Sequence, residues 1–255
     1  MTLKFAGKTV LVSGGATGVG AASVVRFAQE GAQVAIFDRN AEAGEALANR
    51  LSAAGHSIAF FKVDVSDTHM VNEGVRACVE TFGKIDVLFN HAGTILIKPF
   101  LEIEEQEWDS LFSINVKSMF LVTKAVLPHM IAGGGGAIVC TSSISAIAAT
   151  PTEVAYNATK GACHMFARAI ATEFRDRNIR CNAVCPGFID TPHGQRELSA
   201  LQAYGVGASE AELTARQGRA ATPDEVAGAV LFLASDDARF VNGTHLFVDN
   251  GFTAW

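Results

Sequence analysis

The fold of this 255-residue chain is decided by the stretch Thr9-Val-Leu-Val-Ser13-Gly14-Gly15-Ala16-Thr17-Gly18-Val19-Gly20. A run of strand length leads directly into four glycines within seven positions, and a helical pattern over 18–30 follows. Glycines allow a tight turn and let backbone N–H groups approach a phosphate at the positive end of a helix. A lone glycine-rich loop is also typical of a flexible turn, so the phosphate-binding interpretation depends on the strand before it and the helix after it.

The alternation of apolar runs and helical patterns continues to the end of the chain. Strands are predicted at Thr9–Ser13, Gln33–Asp38, Ile58–Val63, Val87–Asn90, Ala137–Thr141, Arg180–Cys185 and Leu246–Val248, with helices at about 18–30, 41–54, 67–82, 104–131, 154–176 and 223–234. Continuous apolar strands between amphipathic helices predict a parallel sheet covered on both faces, and right-handed crossovers make it doubly wound. The predicted fold class is α/β, a Rossmann-type doubly wound, mainly seven-stranded parallel sheet.

The chain shows no linker, internal repeat or block of charge that would divide it, so residues 1–255 are predicted to form a single domain. The glycines at 133–136 are interpreted as a turn feeding the fifth strand. Segment 191–222 is long, rich in Gly and Ala and only weakly periodic. Connections of this length in compact domains are usually functional lids or disordered segments, and a substrate lid is predicted here.

Composition excludes several classes of function. The chain is 49% hydrophobic and 18% charged, with a net charge of −6, which gives no electrostatic footprint for nucleic acid and no polybasic membrane anchor. No apolar run reaches the ~18 residues of a membrane span. The N-terminal residues 1–8 lack the apolar region of a signal peptide, so a cytoplasmic location is predicted.

Cysteine and histidine spacing argues against a metal. The pair Cys181 and Cys185 invites a metal or redox interpretation, but on a strand these positions lie ~13 Å apart. The five cysteines are therefore predicted to be reduced core thiols. The seven histidines show no ligand spacing, and no catalytic metal is expected.

An acidic residue at the end of the second predicted strand indicates which dinucleotide is bound. Asp38 lies eighteen residues past Gly20, where a carboxylate suits the two ribose hydroxyls of NAD. A 2′-phosphate there would meet repulsion of about 4 kcal/mol per unit charge at ~4 Å and an effective dielectric of ~20. Arg39 offsets part of this, so NADP stays a less favoured alternative. Asp64 and Val65 are predicted to contact the adenine, although a helix cap or turn is a competing interpretation of Asp64.

Proton-transfer chemistry is indicated by Tyr156 and Lys160, four residues apart on a predicted helix, with Ser143 thirteen residues before the tyrosine. Positions i and i+4 share a helix face. A neighbouring ammonium is expected to lower the phenol pKa from ~10, making it a usable acid/base near neutral pH. Ser143 would hold the reacting oxygen. The competing interpretation is an incidental Tyr and Lys on a surface helix.

These motifs occur in a characteristic order: the glycine loop, Asn90-His91-Ala92-Gly93, Asn115, Ser143, Tyr156, Lys160 and Pro186-Gly187-Phe188-Ile189-Asp190-Thr191. In this order they make the chain resemble the single-domain branch of the short-chain dehydrogenase/reductase family over essentially its whole length. Three departures are mild. His91 replaces the family's usual Asn, Ser13 replaces a Thr, and Ala146, where Gly is common, is expected to narrow the pocket.

The resemblance implies a role for each matching residue. Tyr156 would be the general acid/base, Lys160 would lower its pKa and bond the nicotinamide ribose, and Asn115 would fix a water that relays protons to Lys160. A helix-interior hydrogen bond is the competing interpretation of Asn115. The implied cofactor contacts are Gly14, Thr17, Gly18, Val19, Gly20, Asp38, Arg39, Asp64, Val65, Asn90, Ala92, Gly93, Tyr156, Lys160, Pro186, Gly187, Ile189 and Thr191.

The substrate is less well specified. Candidate contacts are Ser143, Ser145, Phe188 and His193, with Ile95, Leu96 and Ile147 as further walls. Because these are mostly apolar and no arginine pair suggests a carboxylate or phosphate clamp, a small, mainly apolar or cyclic secondary alcohol or its ketone is expected.

The family resemblance also implies a homotetramer. Helices 104–131 and 154–176 carry apolar residues beyond the needs of one sheet face (Met119, Phe120, Met165, Phe166), and the C-terminal run 246–255 is apolar to Trp255. Ordinary core packing is the alternative interpretation of those helix positions.

Three functions compete: an NAD-dependent alcohol dehydrogenase or ketone reductase, a 3-oxoacyl carrier-protein reductase, and a non-catalytic NAD sensor. Asp38 and the acidic charge argue against the second, which prefers NADPH and a basic docking surface. A sensor has no need of Ser143, Tyr156 and Lys160, so the first is favoured.

Overall fold

The computed structural model describes residues 3–206 and 209–254, and its centre is a sheet with strand order β3-β2-β1-β4-β5-β6-β7. Its strands are β1 Thr9–Ser13, β2 Gln33–Asp38, β3 Ile58–Lys62, β4 Val87–Asn90, β5 Gly136–Thr141, β6 Ile179–Pro186 and β7 His245–Val248. Every neighbouring pair is parallel. The predicted doubly wound fold is confirmed, and the strand order reverses between β1 and β4, which opens a crevice at their carboxyl ends.

Helices cover both faces of this sheet. Within the described residues they are α1 Gly18–Gln29, α2 Ala41–Ala53, α3 Thr68–Phe82, α4 Glu105–Phe112, α5 Ser118–Ala132, α6 Val154–Glu173, α7 Pro192–Ala203, α8 Glu210–Gln217 and α9 Pro223–Ala234. One core lies between the sheet and α1, α2 and α9, and the other between the sheet and α3, α5 and α6.

The first strand shows why its sequence is apolar throughout. Val10 and Val12 enter the core under α1, α2 and α9, whereas Leu11 enters the core on the opposite face. Successive side chains of a strand point to opposite faces, so a strand covered on both sides has no position for a polar alternation.

The helix predicted over 104–131 is interrupted in the structure. A π-helical turn, Ser113–Lys117, joins α4 to α5 and places Asn115 at the junction. By length and composition alone, the continuous stretch Glu105–Ala132 is long and apolar enough to cross a membrane. In the fold, its Met119, Val122 and Met130 are buried in the core beside the sheet.

Segment 191–222 was predicted to be irregular, and the structure corrects this. It contains α7 and α8, two short helices whose apolar positions are too few to show a clear period. Thr191 caps α7 by accepting a hydrogen bond from the backbone of Gly194, and Pro192 occupies its first turn. Such a proline is pre-set for a helix start. Gly207 and Ala208 of the segment lie outside the described residues.

The two ends of segment 191–222 meet. Ile189 and Ala221 form an isolated parallel bridge, with Asp190 N donating to Ala221 O at 2.8 Å and Ala221 N donating to Phe188 O at 2.9 Å. The buried Gln217 side chain accepts from Phe188 N at 2.9 Å and donates to Phe188 O at 2.8 Å. The segment therefore begins and ends at the same place, just after β6, and these hydrogen bonds hold its two ends together.

The five cysteines are all free and buried, as predicted. The C-terminal run makes several contacts with its own chain, and its predicted packing on a neighbouring subunit stays a prediction. Leu246 and Val248 contact one core, and the Phe252 ring lies 6.1 Å from that of Phe188. Trp255, together with residues 1 and 2, lies outside the described residues.

Candidate active site

A cleft of about 540 Å³ opens at the carboxyl ends of the strands. Most of the predicted site residues line it: Gly14, Thr17, Gly18, Val19, Asp38, Arg39, Asp64, Val65, Ala92, Gly93, Ser143, Ser145, Tyr156, Lys160, Pro186, Gly187, Phe188, Ile189, Thr191 and His193. Residues from seven separate parts of the chain thus meet at one edge of the sheet, where parallel α/β folds bind ligands.

The glycine loop is shaped by close approaches that only glycine permits. Gly14 has a φ of +68°, and a Cβ there would lie 2.8 Å from Ala92 Cα. A Cβ on Gly20 would overlap the Gly14 carbonyl oxygen. Gly20 was predicted as a cofactor contact, but it packs the first turn of α1 against the loop and does not line the cleft.

The N-terminus of α1 presents unsatisfied donors to the cleft. Thr17 is the N-cap residue, and its side chain makes no capping hydrogen bond. The first backbone N–H groups of a helix have no partner within that helix and lie at the positive end of its dipole. The loop and helix start therefore fit an anionic phosphate group.

Asp38 stands at the carboxyl end of β2 with both oxygens held by backbone donors. Its Oδ2 accepts from Ala16 N at 3.0 Å and its Oδ1 from Asn40 N at 2.9 Å. These bonds fix a carboxylate at the cleft wall beside the glycine loop. Arg39, the next residue, is exposed and also lines the cleft.

Asp64 forms the turn of the competing interpretation, and its contact with an adenine stays a prediction. Its Oδ1 accepts from Ser66 Oγ at 2.6 Å and Ser66 N at 2.9 Å, which makes a turn after β3. These hydrogen bonds, with a smaller contribution from Arg39, lower the pKa of Asp64. The residue lines the cleft as well, whereas the helix cap of α3 is Asp67.

Ser143, Tyr156 and Lys160 lie together in the cleft, and all three are buried. Lys160 Nζ donates to the Thr141 carbonyl oxygen at 3.0 Å and lies 5.4 Å from the centre of the Tyr156 ring. Ser143 Oγ accepts from Ser145 N and donates to Ser145 Oγ, each at 3.1 Å. A strand-end hydroxyl, a phenol and an ammonium therefore face one space.

The predicted direction of the Tyr156 pKa shift is wrong for this arrangement. Burial of the phenol raises its pKa well above the ordinary value, Glu197 and Glu153 add to the rise, and the neighbouring Ser143 side chain opposes it. Burial also lowers the pKa of Lys160. Sequence spacing shows that the two side chains are neighbours, but it does not show how far both are removed from water.

Asn115 lies behind the cleft wall. Its Oδ1 accepts from Thr94 N at 2.8 Å, and its Nδ2 donates to Thr94 O at 2.8 Å and to Thr159 Oγ1 at 3.1 Å. The side chain thereby ties the loop after β4 to α6, which carries Tyr156 and Lys160. This agrees with the competing structural interpretation, and the implied water relay stays a prediction.

Asn90 is also removed from the cleft, although it was predicted to contact the cofactor. It is buried, and its Nδ2 donates to Met119 O and Thr123 Oγ1, both at 3.0 Å. Its Oδ1 accepts from Ser13 Oγ at 3.4 Å. Asn90 therefore joins β4 to β1 and α5.

His91, the departure from the family's usual Asn, faces the cleft. Its Nδ1 lies 2.9 Å from Thr141 Oγ1, and its ring stacks on Phe89 with 5.0 Å between centres. Burial, with smaller contributions from Lys160 and His193, lowers the pKa of His91 to about 3. The ring is therefore neutral near pH 7.

The wall of the cleft contributed by α7 was largely missed by the sequence analysis. Arg196 and Glu197 line the cleft one helical turn beyond His193, and Thr150 lies in the wall before α6. The spacing of 193, 196 and 197 is the i, i+3, i+4 pattern of one helix face. Treating 191–222 as irregular hid this signal.

Three of the predicted apolar walls are elsewhere. Ile95 and Leu96 pack beside Tyr156 in a small cluster with Leu111 and do not line the cleft. Ile147 is 60% exposed and also lies outside the lining. The α7 side of the cleft, lined by His193, Arg196 and Glu197, is more polar than the sequence suggested.

The described residues contain no cluster of metal-ligating side chains. Across residues 3–206 and 209–254, no group of three or more His, Cys, Asp or Glu side chains is arranged to hold a metal ion.

Comparison with known proteins places this site in a family. Residues 14–253 match the family model described as enoyl-(acyl carrier protein) reductase. The chain is 40% identical to cyclopentanol dehydrogenase of Comamonas sp. (strain NCIMB 9872) over 247 residues, 97% of each protein. It is 35% identical to the 3-oxoacyl-(acyl-carrier-protein) reductase FabG of Thermotoga maritima, covering 98% of this chain and 99% of that one.

The solved structures agree. The crystal structure of levodione reductase superimposes with a TM-score of 0.93 at 34% identity, covering 98% of this chain and 99% of that chain. These similarities extend over the whole fold and include both the glycine loop and the cleft. The chain belongs to the short-chain dehydrogenase/reductase family, the nicotinamide-dinucleotide-dependent oxidoreductases that its site residues resemble.

Proposed function

We propose that this protein is an NAD-dependent oxidoreductase that interconverts a secondary alcohol and its ketone. The observation that carries the proposal is the meeting of Ser143, Tyr156 and Lys160 in the same cleft as the glycine loop and Asp38. A glycine-rich phosphate-binding loop and a proton-transferring side chain each occur in many unrelated proteins, so neither alone identifies a function. Their presence in one cleft of suitable size supports hydride transfer between a dinucleotide and an alcohol.

The residues present fit a dinucleotide. The free N–H groups at the start of α1 would bind its pyrophosphate, Asp38 the adenine-side ribose, and Asp64 and Val65 the adenine. Pro186, Gly187, Ile189 and Thr191 would lie around the nicotinamide carboxamide. When bound, the oxidised cofactor supplies the hydride acceptor.

Tyr156 would accept and donate the proton in this reaction. In alcohol oxidation the substrate hydroxyl gives its proton to the Tyr156 oxygen while the carbon loses its hydride, and in ketone reduction both transfers reverse. The Ser143 hydroxyl donates a hydrogen bond to the same substrate oxygen. Positive charge on Lys160 favours the phenolate form against the burial that raises the Tyr156 pKa.

Preference for NAD over NADP rests on Asp38. Its carboxylate is held in place by Ala16 N and Asn40 N, so it does not rotate away from a 2′-phosphate without losing both hydrogen bonds. Arg39 is exposed beside it and would reduce the repulsion, which is consistent with weak use of NADP.

The substrate is proposed to be a small, mainly apolar or cyclic secondary alcohol or its ketone. Similarity to a cyclopentanol dehydrogenase at 40% identity supports this class. The second candidate, a 3-oxoacyl carrier-protein reductase, is supported by the similarity to FabG. Asp38 and the net charge of −6 argue against it, because an acidic carrier protein would be repelled.

The test is an NADH-absorbance screen of the purified protein against cyclic and linear secondary alcohols, the matching ketones, and a 3-oxoacyl carrier-protein substrate. We expect NAD-linked oxidation of at least one cyclic alcohol. Turnover of the carrier-protein substrate alone, with NADPH, would establish the second candidate. Dinucleotide binding without turnover of any compound would favour a sensor.

We also propose that segment 191–222 covers the substrate, and that the protein works in the cytoplasm as a homotetramer. On α5 and α6, Phe120 is 47% and Met165 62% exposed, in support of an interface, whereas Met119 is buried in the core. Phe166 packs against the same core. Sedimentation analysis tests the assembly, and a monomer at micromolar concentration would contradict it.

A further inference from the structure

The α7 wall of the cleft carries a carboxyl group without a partner. Glu197 is half-buried and lines the cleft with Ser143 and Tyr156. Unlike the other cleft carboxylates, Asp38 and Asp64, which are held by backbone or hydroxyl donors, Glu197 forms no hydrogen bond or ion pair with any residue in 3–206 or 209–254. Because no protein group in the described residues occupies the Glu197 carboxyl and it lines the cleft, it is free to bind a group of a ligand.

The surroundings of Glu197 determine which kind of ligand group can bind to it. Burial raises the pKa of Glu197 to about 8, Glu153 adds to the rise, and Lys160 opposes it. Near pH 7 the side chain is therefore mostly a neutral carboxylic acid, which both donates and accepts a hydrogen bond.

A cationic ligand group does not fit this wall. Lys160 and Arg196 line the same cleft and would repel an ammonium. His193, whose pKa is lowered to about 4 by burial and Lys160, is a neutral donor or acceptor beside Glu197. A neutral hydroxyl can both donate a hydrogen bond to and accept one from Glu197, and it can also bond to the neutral His193.

We propose that Glu197 binds a second hydroxyl of the substrate, so that the preferred substrate is a small diol or the corresponding hydroxyketone. The first hydroxyl would lie at Ser143 and Tyr156, and the second would lie at Glu197 on α7. This inference rests on the proposed alcohol–ketone reaction and names its substrate class. It adds a polar contact that the mainly apolar pocket predicted from the sequence does not contain.

The test compares cyclopentanol with cis- and trans-1,2-cyclopentanediol as NAD-linked substrates, using the ratio of their kcat/KM values. In the wild-type protein we expect the better diol to exceed cyclopentanol by about tenfold, the order of magnitude of one hydrogen bond in a desolvated site. Glu197→Leu should bring this ratio close to one. Glu197→Gln should keep most of it, because an amide also donates and accepts.

The control is Gln195→Leu on the same helix, whose side chain bonds Asp190 outside the cleft lining, and it should keep the wild-type ratio. NADH binding measured by fluorescence shows that each variant is folded. A wild-type ratio near one, or a ratio that Glu197→Leu leaves unchanged, overturns this inference while the alcohol–ketone reaction stands. Failure of the folded wild-type protein to oxidise either compound or any alcohol of the screen overturns the proposed function, and this inference falls with it.

Discussion

The ammonium of Lys160 lies over the face of the Tyr156 ring, 5.4 Å from its centre, and donates a hydrogen bond to the Thr141 carbonyl oxygen. Burial disfavours charge on both side chains, since it raises the pKa of Tyr156 and lowers that of Lys160. A phenolate and an ammonium in contact stabilise each other, so the pair is expected to titrate as a unit. The apparent pKa seen in a rate profile therefore belongs to both residues.

Replacing Tyr156 by Phe removes the hydroxyl and keeps the ring. We expect kcat to fall by roughly 10²- to 10⁴-fold, the usual contribution of a positioned acid or base, with NADH affinity nearly unchanged. Tyr204→Phe is the matched control, because Tyr204 is the other tyrosine of the chain and is 45% exposed. Turnover retained in Tyr156→Phe would remove the assigned acid/base.

Replacing Asp38 by Ala removes the carboxylate that would face a 2′-phosphate. We expect the ratio of kcat/KM for NADP over NAD to rise by about tenfold or more, since each relieved kcal/mol changes a ratio about fivefold. Asp38→Asn keeps one acceptor oxygen, so it retains the hydrogen bond from only one of Ala16 N and Asn40 N. Because it removes the charge, it should still show most of the same shift in cofactor preference. An unchanged cofactor preference in both variants would show that Asp38 does not contact the ribose.

Two glycine substitutions separate crowding in the loop from general effects of an added methyl group. Gly20→Ala would place Cβ against the Gly14 carbonyl oxygen, so we expect loss of dinucleotide binding and a lower free energy of unfolding. Gly161→Ala in α6 has nothing within 4 Å of its Cβ and should raise stability by about 0.5–1 kcal/mol. Urea unfolding and NADH titration measure both effects, and equal behaviour of the two variants contradicts the assignment.

Because Glu153 is protonated in the folded protein, the free energy of unfolding should decrease as pH rises. Burial raises the pKa of Glu153 to about 7 from an ordinary value of 4.5, and its Oε1 has no hydrogen-bond partner within the described residues. Between these two pH values the folded protein keeps a proton that the unfolded chain releases, so folding becomes less favourable with increasing pH.

Glu153→Gln removes this effect. We expect its free energy of unfolding to match that of the wild type near pH 4 and to exceed it by up to about 3 kcal/mol at pH 8. The exposed Glu173, at the other end of α6, is the control position for Glu→Gln. A difference that does not grow with pH would show that Glu153 is ionised in the folded protein at neutral pH.

Local patterns in the sequence predicted the sheet and the meeting of the chemical groups. The boundaries of β1, β2 and β4 match the predicted ones, because strands buried on both faces are apolar without interruption. Tyr156 and Lys160 share a helix face, as their spacing requires. Parallel strands bring their carboxyl ends to one edge, so Asp38 and Ser143, 105 positions apart in the chain, line one cleft.

Features that depend on packing could not be predicted in this way. The direction of the Tyr156 pKa shift follows from burial, which spacing does not reveal. Asn115 lies in a π-helical turn, where an extra residue changes the face that a side chain occupies, so a regular helical pattern misplaces it. Glu197 was missed because α7 is short and has few apolar positions to mark its period.

The bridge between Ile189 and Ala221 makes the structure of the proposed substrate wall largely independent of the sheet. Since both ends of the intervening stretch are joined by main-chain hydrogen bonds, its length and composition can change with little effect on where β6 ends. If the segment covers the substrate as proposed, recombination or insertion beyond Thr191 would alter which compounds enter and would leave the glycine loop and Asp38 unchanged. New specificities are therefore most easily reached by exchanging α7 and α8 as one piece, and engineering should begin with such grafts.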